Sequence, residues 1–459
     1  MRAVSYDAYG AAPTLVDLPP PACPVDGAVI RVMATGVCRS DWHAWQGHDP
    51  VPLPQVPGHE LAGVVVEVGP TVTTRKVGER VTVPFVCGCG ACAYCAAGDA
   101  QVCPDQYQPG FTGPGSFAER VAVPAADLNV VPLPPDLDFV TAAALGCRFA
   151  TAFRALTVHG RVAPGDRVAV HGCGGVGLSA VMVAAALGAR VIAVDVFDAA
   201  LRLAGELGAD QLVPGGPDAV RRIVELTDGG ADVSLDAVGS SDTAVASVSC
   251  LRPRGRHVQV GLLLGEHAAP PLPMGLVVAK ELEVYGSHGM AARDYPAMLD
   301  LVASGALRPD RLVGSVIGLE HAGSSRPARR RRHRRTAGGG VSRGPTRPAF
   351  VLHDHRKPQP HFDLRLEQDG VLRSWAVPRG LPTDHRRDRL AVAVDDHEID
   401  HLTYEDDDKS IADIGWWEDE DSNDRRLLFT LHGRDGSVRY ALIHTGPDWL
   451  LHRTKDQPG

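Results

Sequence analysis

The chain has 459 residues, 44% hydrophobic and 22% charged, with 46 Lys+Arg against 55 Asp+Glu and a net charge of −9. This is ordinary globular composition with length for several cores, which excludes a disordered chain and a disulfide-stapled miniprotein. The acidic balance argues against a whole-chain nucleic-acid binder. Met1–Gly10 lacks the apolar segment of a secretory signal, and glycines and Arg190 interrupt the apolar stretch at 168–194. A cytoplasmic protein without a membrane partner is therefore expected. Residues 1–135 are rich in Val, Pro and Gly, and short runs at 28–33 and 61–68 predict a β-rich unit. From about residue 145 the texture changes. Residues 168–170 read as a buried strand, 177–187 as a helix, 191–194 as a strand and 199–207 as a helix. Further strands are expected at 233–238, 256–260 and 282–285. Strands alternating with helices predict a doubly wound parallel sheet. Nine Arg and no acidic residue fall between 323 and 347, with glycines at 338–340, a linker composition. Beyond Phe350, strands are expected at 389–394, 427–431 and 438–443.

All ten cysteines lie at or before Cys250, and five fall between Cys87 and Cys103. Such a cluster in a large chain points to a metal. Cys89, Cys92 and Cys95 are separated by two residues each, which lets the backbone curl and aim the thiols at one ion. With Cys103 they close a tetrahedral zinc shell that has no open position. Cys87 is the spare. Cys23, Cys173 and Cys250 read as small buried residues. A second motif, Gly172-Cys173-Gly174-Gly175-Val176-Gly177, follows a strand and opens a helix. That context gives G-x-G-x-x-G its meaning as a dinucleotide cradle. Gly172 makes the tight turn, Gly174 lets the backbone approach a pyrophosphate, and Gly177 lets helix and sheet pack closely. The phosphates then sit on amides at the helix start, around Gly175. Asp195 ends the next strand, where its carboxylate accepts ribose hydroxyls and repels a 2′-phosphate. No Arg or Lys stands in the five residues after it, so NAD is expected over NADP. The alternative for Asp195 is a cap on the following helix. Asp236–Gly239 ends a later strand at the edge of the nicotinamide pocket.

Three further segments carry chemistry together. Cys38 lies in Cys38-Arg39-Ser40-Asp41-Trp42-His43, His59 in Gly58-His59-Glu60, and Cys147 in Leu145-Gly146-Cys147. In this order, with the cysteine lobe and the dinucleotide motif, residues 1–322 resemble the zinc-dependent medium-chain alcohol dehydrogenases. The resemblance implies an α/β protein, a GroES-like β-rich catalytic domain plus a Rossmann doubly wound sheet. It implies a catalytic zinc on Cys38, His59 and Cys147, with Glu60 beside the metal or transiently on it. Ser40 would take the proton of a zinc-bound alcohol and pass it by the cofactor ribose towards His43. The other reading of His43 is a surface histidine beside Trp42 and Trp45, while Asp41 reads as orienting its neighbours. Two zinc ions and one NAD per chain, a small alcohol or carbonyl substrate, and self-association through the nucleotide domain follow from the resemblance. The family continues past residues 316–321 to a final strand that closes the catalytic unit. Here the Arg run begins instead, as a gene fusion or a shift of reading frame would leave it.

The last segment carries Phe350-Val351-Leu352-His353-Asp354-His355, His361-Phe362-Asp363-Leu364-Arg365-Leu366, Asp369-Gly370, Ser374-Trp375-Ala376-Val377-Pro378-Arg379-Gly380 and Arg389-Leu390-Ala391-Val392. These resemble the 3′-phosphoesterase module of bacterial end-joining DNA ligases, a small β-barrel with a manganese site. The resemblance implies metal ligation by His355, His361 and Asp363, and phosphate binding by Arg365, Arg379 and Arg389. His397 would serve the reacting centre, and a nucleic-acid 3′ end would be the partner. Arg379 and His401 stand where that family has Lys and Tyr, and the acidic run 405–408 replaces a glycine-rich segment. The domain's 15 basic and 23 acidic residues also disfavour tight DNA binding. The expected division is 1–140 for the GroES-like zinc domain, completed by about 280–322; 141–279 for the Rossmann NAD domain; 323–347 for the linker; and 348–459 for the phosphoesterase-like β domain. The expected function is zinc-dependent hydride transfer between an alcohol (or aldehyde or ketone) and NAD. The alternatives are DNA-end processing by the last domain, and an inactive fusion.

Overall fold

The computed structural model describes residues 1–324 and 348–459, apart from 357–358, 369–370, 398, 403–407, 424, 434–435, 446–447 and 458–459. The linker expected at 323–347 thus lies outside the described residues from position 325 on, as do Asp369-Gly370 and most of the acidic run at 405–408. The chain falls into two units, Met1–His333 and Arg334–Gly459.

In the first unit, β1 (Arg2–Ser5) and β2 (Thr14–Asp17) form an antiparallel ribbon. β3 (Ala28–Gly36), β4 (Glu60–Val68), β5 (Arg80–Thr82), β6 (Arg120–Val123) and β7 (Val131–Pro132) form an antiparallel sheet in the order β6-β3-β4-β5-β7. Its buried face is aliphatic and mostly β-branched, with Ile30, Leu61, Val65, Val81, Val121 and Val123, side chains that suit a half-buried pleated surface. The β3–β4 connection carries Cys38 and His59, and the β5–β6 connection carries the cysteine lobe. One sheet therefore carries both of these candidate metal segments.

The same unit contains six parallel strands: β8 (Arg167–His171), β9 (Arg190–Asp195), β10 (Gln211–Pro214), β11 (Ala231–Asp236), β12 (Leu251–Gln259) and β13 (Glu283–Gly286). Their order is β10-β9-β8-β11-β12-β13. The order reverses between β8 and β11, and open sheets of this kind take their ligand at that switch point, beyond the carboxyl ends of the strands. The helix Gly175–Ala186 follows β8, and Leu178–Ala184 are all buried. Its uniformly apolar sequence fits a helix enclosed on all sides. Helix Tyr295–Ala303 packs near the turn Leu145–Phe149, where the Tyr295 hydroxyl donates to the Gly146 carbonyl at 3.2 Å. Among the described residues of this unit no strand follows β13; the turn Leu319–Ser324 lies against β1 and β2. No helix among the described residues is long and apolar enough to cross a membrane.

The second unit is a closed barrel of β14 (Ala349–His355), β15 (His361–Gln368), β16 (Val371–Val377), β17 (Arg389–His397), β18 (Lys409–Asn423), β19 (Arg426–Gly433), β20 (Gly436–His444) and β21 (Trp449–Arg453), in the order β14-β15-β16-β17-β21-β20-β19-β18. Phe350, Leu352, Leu364, Leu366, Trp375 and Phe429 belong to its core. Side chains alternate along a strand, so His353, His355, His361, Asp363 and Arg365 share the opposite face of β14 and β15. The turn Ile399–Leu402 packs against β14 and β16.

Candidate metal and cofactor sites

Cys38, His59, Glu60 and Cys147 come together, with one ligand atom from each lying within 4.8 Å of all the others. Cys38 precedes the helix Arg39–Gln46, His59 leads into β4, and Cys147 sits in the wide helical turn Leu145–Phe149. Asp41 organises two of them. Its carboxylate accepts from the Cys38 amide at 2.8 Å, the Gly58 amide at 3.1 Å and His59 Nδ1 at 3.0 Å. That pairing fixes the His59 ring and turns Nε2 inward. Nε2 is buried and has no hydrogen-bond partner among the described residues. An imidazole held by a carboxylate at one nitrogen and bare at the other is arranged for a metal. The two thiols are also coupled. A hydrogen bond from Cys147 draws Cys38 well below the ordinary thiol range, and the same bond pushes Cys147 up. One imidazole and two sulfurs suit zinc and leave a fourth position open, so these residues fit the metal.

Glu60 is fully buried, and Arg148 grips its carboxylate from Nε at 2.8 Å and Nη2 at 2.6 Å. Ser40 lies beside these candidate ligands, its Oγ 3.8 Å from Cys38 Sγ. His43 Nδ1 is 3.3 Å from His48 Nδ1, and burial lowers the His43 pKa. Ser40 and His43 share no hydrogen bond among the described residues. Phe85 and Phe111 stand edge-on to His59, with ring centroids 6.0 and 5.1 Å away. Phe85 also packs on His288, which borders a cavity of about 480 Å³ lined by Gln101, Arg154, His159, Gln259 and Ser287 among others.

The four lobe cysteines also gather within 4.8 Å. All are free thiols. Cys92 Sγ lies 3.7 Å from Cys103 Sγ and accepts the Cys95 amide at 3.4 Å, capping the helix Ala93–Ala97. The Ala91 and Cys92 amides lower the Cys89 thiol. Amides aimed at sulfur favour thiolates, and four of them fit a closed zinc site. Cys87 stays apart, fully buried, with its thiol pushed up by burial.

At the switch point, Gly172 has φ +90, a left-handed turn. A Cβ on Gly177 would stand 1.7 Å from the Gly172 carbonyl oxygen, whereas one on Gly174 would meet nothing within 4 Å. The cradle is therefore tight beneath the helix and open towards a ligand, and it fits a dinucleotide. Asp195 closes its rim: Oδ2 accepts the Cys173 amide at 2.6 Å and Oδ1 the Phe197 amide at 2.8 Å. Asp236 pins the adjoining loop, accepting from the Val238 amide and from Gln259 Nε2, both at 2.8 Å.

In the barrel, His355, His361 and Asp363 likewise present ligand atoms within 4.8 Å. His361 Nε2 is 3.3 Å and His355 Nδ1 3.6 Å from the Asp363 carboxylate. Arg365 Nη2 contacts Asp363 at 2.9 Å and its Nη1 donates to Ser374 Oγ at 3.2 Å. Burial works to raise the Asp363 carboxyl, but Arg365, Lys409 and the two imidazoles hold it below its ordinary value. Two imidazoles and a carboxylate fit a divalent metal. Arg389 begins β17, Arg379 is exposed in the turn after β16, and His397 ends β17 against His401, with centroids 4.9 Å apart.

Five residues in these sites were not singled out from the sequence. Arg148 follows Cys147 directly, so a cation adjoining a ligand was the available signal. His48 lies in the same connection as His43. Phe85 and Phe111 belong to no motif that the sequence analysis used. Lys409 reaches Asp363 at 3.5 Å because β18 pairs it with His355.

Residues 25–135 match the family described as "Alcohol dehydrogenase GroES-like domain" and residues 175–304 the family "Zinc-binding dehydrogenase". Residues 353–444 match the "DNA Ligase D 3'-phosphoesterase domain" family. The chain is 38% identical over 284 residues to an alcohol dehydrogenase of Geobacillus stearothermophilus, covering 61% of this chain and 82% of that protein. It is 35% identical over 291 residues to a sorbitol dehydrogenase of Halalkalibacterium halodurans, covering 62% and 82%. Among solved structures it resembles the alcohol dehydrogenase TADH from Thermus sp. ATN1, with a TM-score of 0.66, 33% identity, and 71% and 95% of the two chains covered.

Proposed function

The chain belongs to the zinc-binding alcohol dehydrogenase family, and on that premise we propose that its first unit oxidises an alcohol at the Cys38–His59–Cys147 site with NAD, in preference to NADP, as the acceptor. The carrying observation is His59: Asp41 holds Nδ1, while the bare Nε2 faces two coupled thiols. Zinc bound there supplies a Lewis acid that acidifies a hydroxyl, and the dinucleotide supplies the hydride acceptor. Every other task falls to the chain. Ser40, beside Cys38, receives the hydroxyl proton. His43, paired with His48, would pass it on towards water. Phe85 and Phe111 pack round His59 and keep water from it. Asp195 accepts ribose hydroxyls with the lone pairs its two amide contacts leave free, and its charge excludes a 2′-phosphate. Cys89, Cys92, Cys95 and Cys103 hold a second, structural zinc. The domain limits follow the sequence division, and self-association runs through the nucleotide domain. The test is a zinc assay on the purified chain with NAD reduction across a panel of primary, secondary and polyol alcohols. Two zinc ions with alcohol-dependent NADH support the reading; one zinc at full loading contradicts the two-site arrangement.

A second activity is favoured by His355, His361 and Asp363 on the barrel. With manganese bound, that set and Arg365 would stabilise charge on a phosphoryl oxygen at a nucleic-acid 3′ end. Arg379 and Arg389 would hold the phosphate, and His397 would act at the reacting centre. Hydrolysis of a 3′-phosphorylated primer–template by the whole chain tests it.

A further inference from the structure

Arg148 belongs to neither motif, yet it touches both sites. Its guanidinium donates to Glu60 from Nε and Nη2, and its backbone amide donates to Glu60 Oε1 at 3.2 Å. These bonds leave Nη1 without a protein acceptor among the described residues. Nη1 lies at the dinucleotide cradle: a Cβ on Gly175 would meet Arg148 Cδ at 2.5 Å and Nη1 at 3.2 Å. Gly175 opens the helix whose first amides face the phosphates. The Arg148 side chain keeps 26% of its surface exposed, whereas Glu60 keeps none. One edge of a planar fork is thus committed to a buried carboxylate beside the metal ligands. The remaining donors stand where a phosphate oxygen would arrive, and arginine serves two such acceptors where lysine, a point charge, cannot.

We propose that Arg148 is a positioning residue that donates from Nη1 to the pyrophosphate of the dinucleotide while its other edge holds Glu60 beside the catalytic metal ligands. The proposal rests on the dehydrogenase reading above. It gives Gly175 a purpose of its own, because any side chain there would displace the guanidinium. It also couples the two sites through one side chain, and such coupling is reciprocal. Dinucleotide occupancy then changes the surroundings of the metal, and loss of the fork uncouples them.

The test uses the zinc-loaded full chain and Arg148→Lys, which keeps a positive charge near Glu60 without the fork. NADH binding is read by fluorescence titration and ADP-ribose binding by competition. With zinc content unchanged, both ligands are expected to bind about tenfold or more weakly and by the same factor, the loss of one charged hydrogen bond. In the cobalt-substituted protein, the visible absorption should shift on ADP-ribose addition in the parent and not in the variant. Gly175→Ala, which crowds the guanidinium while keeping its charge and its arginine, should show the same equal loss. ADP-ribose affinity within twofold of the parent in Gly175→Ala overturns the proposal even if Arg148→Lys fails to fold. So does a loss confined to NADH, which would place Arg148 at the nicotinamide. A parent chain with full zinc that binds no NADH overturns the dehydrogenase reading itself.

Discussion

Asp41→Asn is the sharpest perturbation of the proposed catalytic site, because Asp41 lies outside the proposed ligand set yet touches two of the segments that supply it. Its carboxylate accepts three hydrogen bonds, from Cys38 N, Gly58 N and His59 Nδ1, and the side chain is only 7% exposed. An asparagine has one acceptor oxygen and one donor nitrogen, so at least one of the three donors then faces an N–H. A hydrogen bond to a charged group contributes about 1.5–3 kcal/mol, and a buried donor left unpaired costs about 1–3 kcal/mol. Because the three bonds share one acceptor group, the losses do not simply add. A destabilisation of about 2–4 kcal/mol is expected, on the scale of those single terms. Loss of the group that orients a ligating imidazole also weakens metal binding by about 10- to 100-fold. The assay is chelator competition for zinc, read alongside urea unfolding of the same preparations. The variant should release one zinc early and keep the other, since Asp41 has no contact with the cysteine lobe. Parent-like affinity for both zinc ions together with a stability change under about 0.5 kcal/mol, the ordinary scatter of surface substitutions, would refute the role given to Asp41.

Replacing Cys92 by Ser should damage folding itself, because a closed zinc site contributes folding energy directly; a parent-like urea midpoint in that variant would count against a metal in the lobe. Asp195→Gly should narrow the NAD preference, which a like-charge contact sets at about 1–4 kcal/mol, or roughly tenfold to several hundredfold; equal kcat/KM for NAD and NADP in the parent would place Asp195 away from the ribose. Burial lowers His257 to about 4 and His171 to about 3, while both take up protons near pH 6.5 when unfolded. The unfolded chain therefore binds more protons below that pH, so their contribution to stability is complete above about pH 6.5 and is lost as pH falls towards the folded values. Urea unfolding from pH 7 to 4.5 should show a steeper decline in the parent than in His257→Gln; equal slopes would contradict it. His361→Ala in the full chain should abolish manganese binding at the barrel while alcohol oxidation continues, and retained manganese affinity would remove that residue from the ligand set.

The gathering of the cysteine lobe was legible in the sequence because its four cysteines span fifteen positions and their spacing encodes the geometry. The dinucleotide cradle was legible for the same reason, although the helix begins at Gly175 and not at 177, its first turn being built on glycines. β12 runs from Leu251, not 256. Pro253 and Gly255 lie in its first half, and the strand tolerates them because its regular pairing with β11 and β13 starts only at Arg256. Cys38, His59 and Cys147 carry no local spacing at all; only the order of motifs joined them. Arg148 was out of reach because its meaning comes from two partners, Glu60 and Gly175, that folding alone brings to it. Lys409 was hidden likewise: its role depends on the cross-strand register with His355, which the composition of β18 does not specify. Asp41 is the intermediate case. Its place between Cys38 and His43 suggested an orienting residue, and the structure shows what it orients.

The most direct measurement is alcohol-dependent NADH formation by the zinc-loaded full chain, run beside Cys38→Ser that still holds its lobe zinc. The expected result is steady NADH production in the parent with at least one alcohol class, and none in the variant despite an intact lobe and unchanged ADP-ribose binding. Equal NADH formation by both proteins, or none by a parent carrying zinc at both sites and binding NADH, would contradict catalysis at the Cys38–His59–Cys147 centre.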